Sequence, residues 1–501
     1  MKPTRVGRAP MGAMLIVTIY VVLKLAQWVL SLPTIDGPDS HSYLPGPGLS
    51  VPPNWYVGFE KVSFTGDGVI RPWTVALPYA LLLTDYFRSL FQLAVSVLAF
   101  LLLAYAMICT CRDIWLGRIL ALVVLTFSCT TLVSSWDMLM NRESLAISLT
   151  VALVGLAFLS SRYRSIGFLF LVILNSLLLI MTRPTLAPLA ALILAVLLIM
   201  RARRTVVSVS SLREIRLGTV MRGALAASFA ALTLAYPAAY SVRMDSSWAG
   251  WYEQTMSETQ FGYVVSDYNP KAESLKAALA LDAPACLIEQ IPVDTGDYVG
   301  APWGFAAKVR DSCPEFADWF TSSWPSWYYR YILKHPDYVA KIGISGLPIA
   351  MRPWDATKSF SPLPAPLRDA LFPVTTSDGT SVYDPVVFYW GVALGIGLLG
   401  LFAFRQRSWQ FVRVHGREVA LVGAIVIGGL ISILTNLLLI PSYPLETNRV
   451  NVSAALALRM TGTLVAVFLC WRVIAMISDE RANWRAQAPS SGRHSTTSRV
   501  S

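Results

Sequence analysis

The sequence predicts an all-α polytopic membrane protein, and three observations lead to that prediction. The 501 residues are 55% hydrophobic and only 14% charged, and their mean hydropathy is +0.54. Such a composition exceeds that of a soluble globular chain and requires lipid as the solvent. Apolar stretches of membrane-spanning length also recur along the chain, and Lys and Arg concentrate in the short segments between them. The net charge of +11 therefore reflects membrane topology and gives no support to a nucleic-acid partner.

About ten stretches are apolar enough to form transmembrane helices, each of which needs roughly 20 residues. The first stretch follows a short basic segment but is longer than a typical signal-peptide core. It also has no small-residue cleavage site before Pro33, so it is interpreted as a retained anchor. The stretches run at 11–32, 89–108, 116–133, 145–160, 167–181, 186–200, 223–240, 386–404, 419–440 and 454–477.

The distribution of positive charge predicts which side of the membrane each loop occupies. Basic residues before the first stretch and in alternate loops place both termini in the cytoplasm, in a plasma (inner) membrane protein. The predicted regions are an N-terminal transmembrane module at 1–240 with a first external loop at 33–88, a large external aromatic-rich region at 241–384, C-terminal spans at 385–477, and a disordered cytoplasmic tail at 478–501.

Two of the six cysteines, Cys286 and Cys313, share the large external region. An extracytoplasmic position would permit a disulfide between them, and the sequence alone leaves the pairing open. The other four lie in or beside apolar stretches, where a thiol behaves as a small hydrophobe. Neither the cysteines nor the four histidines have the spacing of a metal site, so no bound metal is expected.

Two carboxylates, Asp36 and Asp39, follow directly on the outer end of the first stretch. A carboxylate at the membrane surface can act as a general base toward an attacking hydroxyl, in surroundings that shift its pKa. The alternative is an Asp-Gly-Pro turn in which Asp36 bonds its own backbone. We favour the turn for Asp36 and the catalytic role for Asp39. The nearby His41 and Tyr43 are candidate substrate contacts.

Ionisable residues also mark the predicted outer turn between the third and fourth stretches, namely Asp137, Arg142 and Glu143. Charge close to hydrocarbon is costly, so each is by default a functional-site hypothesis. Glu143 is a candidate catalytic acid that needs a partner, supplied by Arg142 or by an arginine of a neighbouring loop. Alternatively, Glu143 opens a helix, where the positive end of the helix dipole favours it. Asp137 is a candidate substrate contact.

Several arginines lie on the predicted outer side, against the positive-inside trend. These are Arg71, Arg183 and Arg449. Guanidinium groups bind phosphate in a bidentate manner, so these three and Arg142 are candidate ligands of a phosphate held at the bilayer surface. Alternatively, the arginines extend to lipid headgroups or pair with the nearby acids.

The large external region is rich in Trp and Tyr, which favour a membrane boundary or a carbohydrate face. Trp327 lies in a stretch from Trp319 to Leu333 that looks amphipathic, and it is a candidate substrate contact. His335 is another, although a lone His is more often structural. Glu446, before the last stretch, completes the set of candidate substrate contacts.

In their order and sidedness these residues resemble the GT-C superfamily of polyprenyl-phosphate-dependent glycosyltransferases. That multi-pass group includes protein O-mannosyltransferases, aminoarabinose transferases and actinobacterial arabinofuranosyltransferases. The resemblance covers the first seven stretches best. Many relatives carry two adjacent acidic residues or an Asp-x-Asp motif in the first external loop, whereas in this chain Gly-Pro separates Asp36 from Asp39. It rests on Asp39-Ser40-x-x-Tyr43, Arg71-Pro72, Arg142-Glu143-Ser144 and Thr182-Arg183-Pro184.

The resemblance implies inverting transfer of a sugar from a polyprenyl-phosphate donor to a cell-envelope glycan or glycolipid acceptor on the extracytoplasmic face. Asp39 would be the base, and Arg71, Arg183 and Arg449 would hold the donor phosphate. The lipid-linked sugar phosphate is a substrate, and no cofactor, ATP or nucleotide sugar is implied. The Ala- and Arg-rich composition, with little Lys, hints at a high-GC bacterium such as an actinobacterium.

Three other functions are compatible with the same sequence. A polymerase or ligase acting on lipid-linked polysaccharides shares the outer arginines, but it relies on Arg and His rather than on a first-loop acid. A secondary transporter or lipid flippase would place its ionisable residues near the membrane midplane, often in repeated halves. A non-catalytic scaffold would bind a glycan or a protein through the aromatic region. The sequence predicts neither the sugar nor the oligomeric state.

Overall fold

The computed structural model describes residues 11–31, 85–138, 142–163, 165–208, 283–290, 312–351, 416–439 and 444–487, together with positions 74, 78, 81 and 82. The predicted spans at 223–240 and 386–404 lie outside the described residues. The same holds for five predicted site residues, which are Asp36, Asp39, His41, Tyr43 and Arg71.

Helices make up the regular structure of the described residues, and no strand occurs among them. They are numbered here in chain order. They are α1 (Met11–Ser31), α2 (Asp85–Thr110), α3 (Ile114–Ser128), α4 (Thr131–Met138), α5 (Arg142–Tyr163), α6 (Ile166–Thr182), a 3₁₀ turn (Pro184–Leu186), α7 (Ala187–Ser208), α8 (Ala285–Gln290), α9 (Glu315–Ser322), α10 (Trp324–Lys334), α11 (Pro336–Ala350), α12 (Gly416–Leu439) and α13 (Pro444–Gln487).

The central helix of the bundle is α5, whose side chains are almost all buried against α2, α6, α7, α12 and α13. Small residues allow two of the helix pairs to approach closely. A Cβ atom on Gly155 would lie 3.1 Å from the Cα of Leu103 on α2, and one on Gly428 of α12 would lie 2.8 Å from the Cα of Leu189 on α7. In lipid, where burial of apolar side chains drives little association, such backbone contact stabilises helix packing.

Five described helical segments are long and apolar enough to cross a membrane, and three apolar helical segments are shorter. Outward-facing apolar side chains such as Leu98 and Phe170 are exposed, as expected for a surface in contact with lipid. The predicted all-helical class and membrane character are confirmed, whereas the count of ten spans stays a prediction. The five segments are 86–110, 142–163, 184–201, 416–438 and 451–475, and the shorter ones are 14–29, 114–128 and 166–182.

The predicted third span, 116–133, is interrupted. α3 ends at Ser128, and α4 begins at Thr131, after a cap at which the Cys129 amide donates to carbonyls of the preceding turn. The sequence predicted Asp137 in an outer turn, but the structure places Asp137 on α4. The carbonyls of the interrupted helix have side-chain donors from α1, described below, and these donors explain why a break is tolerated there.

Helices α8 to α11 pack around a small aromatic core of their own, within the region predicted to be external. A disulfide joins Cys286 to Cys313, with the two Cα atoms 5.6 Å apart. The stretch predicted as one amphipathic segment from Trp319 to Leu333 is divided between α9 and α10, because a proline opens α10. The Tyr328 hydroxyl donates to the Leu438 carbonyl at 2.7 Å and so attaches this core to the end of α12.

The last helix is longer than predicted at both ends. α13 begins at Pro444, so Glu446 and Arg449 lie in its first turns rather than in a loop before the last span. It continues to Gln487, so residues 478–487 of the predicted disordered tail are helical. That segment is rich in Arg, Ala and Glu or Gln, which have high helix propensity, and a helix already formed upstream propagates through it readily.

Candidate functional site

A buried ion pair joins α1 to α4. The Lys24 ammonium donates to the Asp137 carboxylate at 2.5 Å, and neither side chain has any exposed surface. A lone charge in a low-dielectric interior costs several kcal/mol in effective desolvation, so each of these groups depends on the other. The Ser96 hydroxyl of α2 faces the same carboxylate.

The pair sits at the break between α3 and α4. The Lys24 ammonium also donates to the Ser128 carbonyl at 2.9 Å, and the Gln27 amide donates to the Cys129 carbonyl at 2.8 Å. The hydroxyls of Tyr20 and Ser128 are hydrogen-bonded at 2.8 Å. A cation at a helix C-terminus is favourable because the last carbonyls have no partners within the helix.

A second buried ion pair joins α5 to the residue that follows α6. The Arg183 guanidinium donates to Glu143 Oε1 at 2.7 Å, and Arg142 Nε lies 3.5 Å from the same oxygen. Glu143 is fully buried and Arg183 almost so, while the Arg142 side chain is 19% exposed. The alternatives that the sequence offered for Glu143 therefore occur together: it opens a helix, and an arginine of a neighbouring turn pairs with it.

More polar side chains line the same end of the bundle. The first three turns of α2 bury Arg88, Ser89, Gln92 and Ser96. The Trp28 indole of α1 donates to the Ser89 hydroxyl at 2.9 Å. We refer to this end of the bundle as the charged-pair end, defined by Lys24, Asp137, Arg142, Glu143 and Arg183.

The opposite end carries basic residues at the surface, and we refer to it as the basic end. Arg118 is exposed, with its guanidinium 5.2 Å from the Trp115 ring centroid. The Arg201 guanidinium donates to the Ser165 carbonyl at 2.8 Å. Asp113 caps α3 and accepts from the Trp471 indole at 2.7 Å, and that hydrogen bond lowers the pKa of Asp113.

Two further candidates, Trp327 and His335, lie in the α8–α11 region. Trp327 is 5% exposed, and its ring stacks on Tyr331 at 4.8 Å between centroids, so its face is covered by protein rather than open to a glycan. His335 caps the end of α10, and its ring also stacks on Tyr331, with 4.4 Å between the centroids. The side chains of Glu446 and Arg449 lie outside the described residues.

Sequence reasoning placed Asp137 as a substrate contact, but the carboxylate is fully buried and held by Lys24. It also missed Lys24, Tyr20 and Gln27. The sequence does contain a signal for this pair, because Lys24 lies inside the apolar stretch 11–32. A charged side chain in hydrocarbon is costly enough to require a buried partner. Arg88 gave a similar signal, four residues into α2.

The described residues define an all-helical membrane protein with two buried ion pairs at one end of its helices. The sequence matches no protein-family model and no curated protein, and the fold matches no solved structure. Among the described residues, no three His, Cys, Asp or Glu side chains are grouped so as to hold a metal ion.

Proposed function

We propose that the protein is a membrane glycosyltransferase that moves a sugar from a polyprenyl-phosphate donor to a cell-envelope glycan or glycolipid acceptor. The observation that carries the proposal is the arrangement of Arg183 and Arg142 around one oxygen of Glu143. The two guanidinium groups and the one carboxylate together carry one net positive charge, which an anionic group can balance. That chemistry matches a lipid phosphate held at the end of a membrane helix bundle.

The position of the first-loop acids supports the same proposal. α1 reaches the charged-pair end and ends at Ser31, so Asp36 and Asp39 follow that end by five and eight residues. The positive-inside bias of the basic end supports an extracytoplasmic location for the charged-pair end.

In the proposed reaction an acceptor hydroxyl attacks the anomeric carbon of the donor sugar. The bond between that carbon and the phosphate oxygen breaks with inversion, and the polyprenyl phosphate leaves with the electron pair. Asp39 takes the proton of the attacking hydroxyl. Arg142, partly exposed, meets the phosphate first, and its charge stabilises the leaving group as negative charge develops.

The test is transfer of label from a panel of polyprenyl-phosphate sugars to envelope glycans by the purified protein in lipid. Asp39→Asn removes the base, and the expected loss is on the order of 100- to 10,000-fold, as for a general base. Asp337→Asn is the matched control, because Asp337 is an exposed acid on α11. Full transfer by Asp39→Asn would contradict the assignment of the base, and Asp36 and Glu143 would then be tested in turn.

A secondary transporter or flippase is the second candidate, favoured by the depth of the Lys24–Asp137 pair. Lys24 lies seven residues before the end of α1, about 10 Å along the helix axis, beside an interrupted helix. Vesicles containing the protein would then move a labelled lipid or solute without any sugar transfer. Transfer by wild type with no such movement would exclude this candidate.

A further inference from the structure

The first helix is attached to the bundle by polar groups. Among its described side chains, 14–29, the buried ones are Tyr20, Lys24 and Gln27, spaced four and three apart and therefore on one face. The other faces expose Met14, Leu15, Val22 and further apolar side chains. Lipid tails solvate such side chains as well as a protein interior does, so apolar burial contributes little to holding α1 in place.

The polar attachment converges on the break between α3 and α4. Lys24 contacts both sides of the break, since its ammonium binds the Ser128 carbonyl at the end of α3 and the Asp137 carboxylate on α4. One side chain thus fixes three helices relative to one another. Without it, the carboxylate of Asp137 would be buried without its cation, and the carbonyl at the end of α3 would lose its donor.

Both partners stand shortly before the residues of the proposed active site. Lys24 precedes the end of α1, which leads to Asp39, and Asp137 is six positions before Glu143. We propose that the Lys24–Asp137 pair fastens α1 to α4 and so positions the end of α1 relative to Glu143 of the proposed active site. Both are positioning residues, because the fully buried pair is out of reach of a substrate. The inference rests on the proposed function for its effect on the reaction, but its effect on α1 can be measured separately.

The first readout requires no activity. Cys129 at the break has a partly buried thiol, and its backbone carbonyl is bonded by α1. Its alkylation by a maleimide, followed by site-resolved mass spectrometry, therefore reports on whether α1 is in place. Lys24→Met is expected to speed this alkylation roughly tenfold, because local opening controls access to a protected site. Cys470, a free thiol on α13, is the internal control and keeps its rate.

Three further variants separate positioning from folding. Lys24→Arg retains the cation and is expected to restore protection of Cys129. The double variant Lys24→Met with Asp137→Asn removes both charges, so it folds more readily than the single variant while α1 stays loosened. Thr18→Val changes a side chain on an exposed face of α1 and is expected to behave as wild type.

The second readout is transfer per folded molecule. In the double variant, kcat is expected to fall on the order of 100-fold while the KM for the donor stays within a factor of about two, because a small displacement of the acids slows chemistry more than binding. If Cys129 were alkylated in Lys24→Met at the wild-type rate, the inference would be overturned. The inference would also be overturned if the double variant had a normal kcat although its Cys129 was exposed. Failure of wild type to transfer any sugar would instead overturn the proposed function, and Cys129 exposure would still decide whether the pair fastens α1.

Discussion

At the charged-pair end four of the five defining side chains are buried against one another, whereas at the basic end the charged side chains lie at or near the surface. Lys24, Asp137 and Glu143 have no exposed surface, while Arg118 is exposed and Arg201 binds a backbone carbonyl. Buried pairs give little net stability relative to apolar residues of the same size, so their presence calls for another explanation. The difference suggests that the basic end sets orientation in the membrane and the charged-pair end is organised for function.

The largest expected effect comes from breaking a pair at the charged-pair end. Arg183→Met removes the closer of the two arginines that contact Glu143 among the described residues, and we expect a loss of about 3–5 kcal/mol in the free energy of unfolding. Thermal or denaturant unfolding in detergent measures it. The double variant Arg183→Met with Glu143→Gln should recover much of the loss. A single variant as stable as wild type would show that this pair is not tightly coupled.

Loss of the disulfide in the α8–α11 core should have the next largest effect. Cys286→Ala with Cys313→Ala removes a disulfide whose cysteines are 27 residues apart and should destabilise the α8–α11 core by about 2–4 kcal/mol. The measurement is the rate of limited proteolysis in this segment.

At the basic end, burial raises the pKa of the Cys111 thiol to about 11, so this thiol should react slowly with an alkylating reagent at pH 8. Rapid labelling of Cys111 would contradict the structure.

A packing change between the two ends should have an intermediate effect. Gly428→Ala places a Cβ 2.8 Å from a backbone atom of Leu189, so α7 and α12 must separate. We expect destabilisation of about 1–3 kcal/mol. Gly423→Ala on the same helix is the matched control, since a Cβ there meets no atom within 4 Å. Equal stability of the two variants would mean that α7 and α12 are less closely packed than described.

The smallest effect is a pH dependence at the basic end. The hydrogen bond from Trp471 lowers the pKa of Asp113, so ionised Asp113 contributes stability above its ordinary pKa of about 3.9. The contribution is lost as the pH falls through the lowered pKa. Wild type should therefore exceed Asp113→Asn in melting temperature at pH 6, and the difference should shrink toward pH 3. A difference that grows on acidification would contradict the sign.

Much of the fold could be predicted from the sequence, because long apolar stretches between basic segments permit little except membrane helices. Eight of the ten predicted spans overlap with described helices, five of which are long and apolar enough to cross a membrane. The break after Ser128 was not predictable. The break depends on side-chain hydrogen-bond donors from α1, about 100 residues away in sequence. Local sequence patterns do not predict such long-range contacts.

The candidate site was predicted in part. Arg142, Glu143 and Arg183 were singled out as ionisable groups near hydrocarbon, and the structure brings them together. Glu143 lies closer to Arg183 than to its sequence neighbour Arg142. This pairing depends on how α5 packs against α6, which no local sequence pattern specifies. The roles of Asp137 and Trp327 could not be predicted, because burial depends on which helix faces meet.

The most direct test of the central claim compares one arginine from each end. Arg142→Gln and Arg118→Gln remove the same charge, and both side chains are at least partly exposed. If the charged-pair end binds the donor phosphate, Arg142→Gln should reduce kcat/KM for transfer from a polyprenyl-phosphate sugar by about 10- to 100-fold, the equivalent of one charge-assisted hydrogen bond. Arg118→Gln should leave it unchanged. Equal kcat/KM values for the two variants, or a greater loss in Arg118→Gln, would contradict the account.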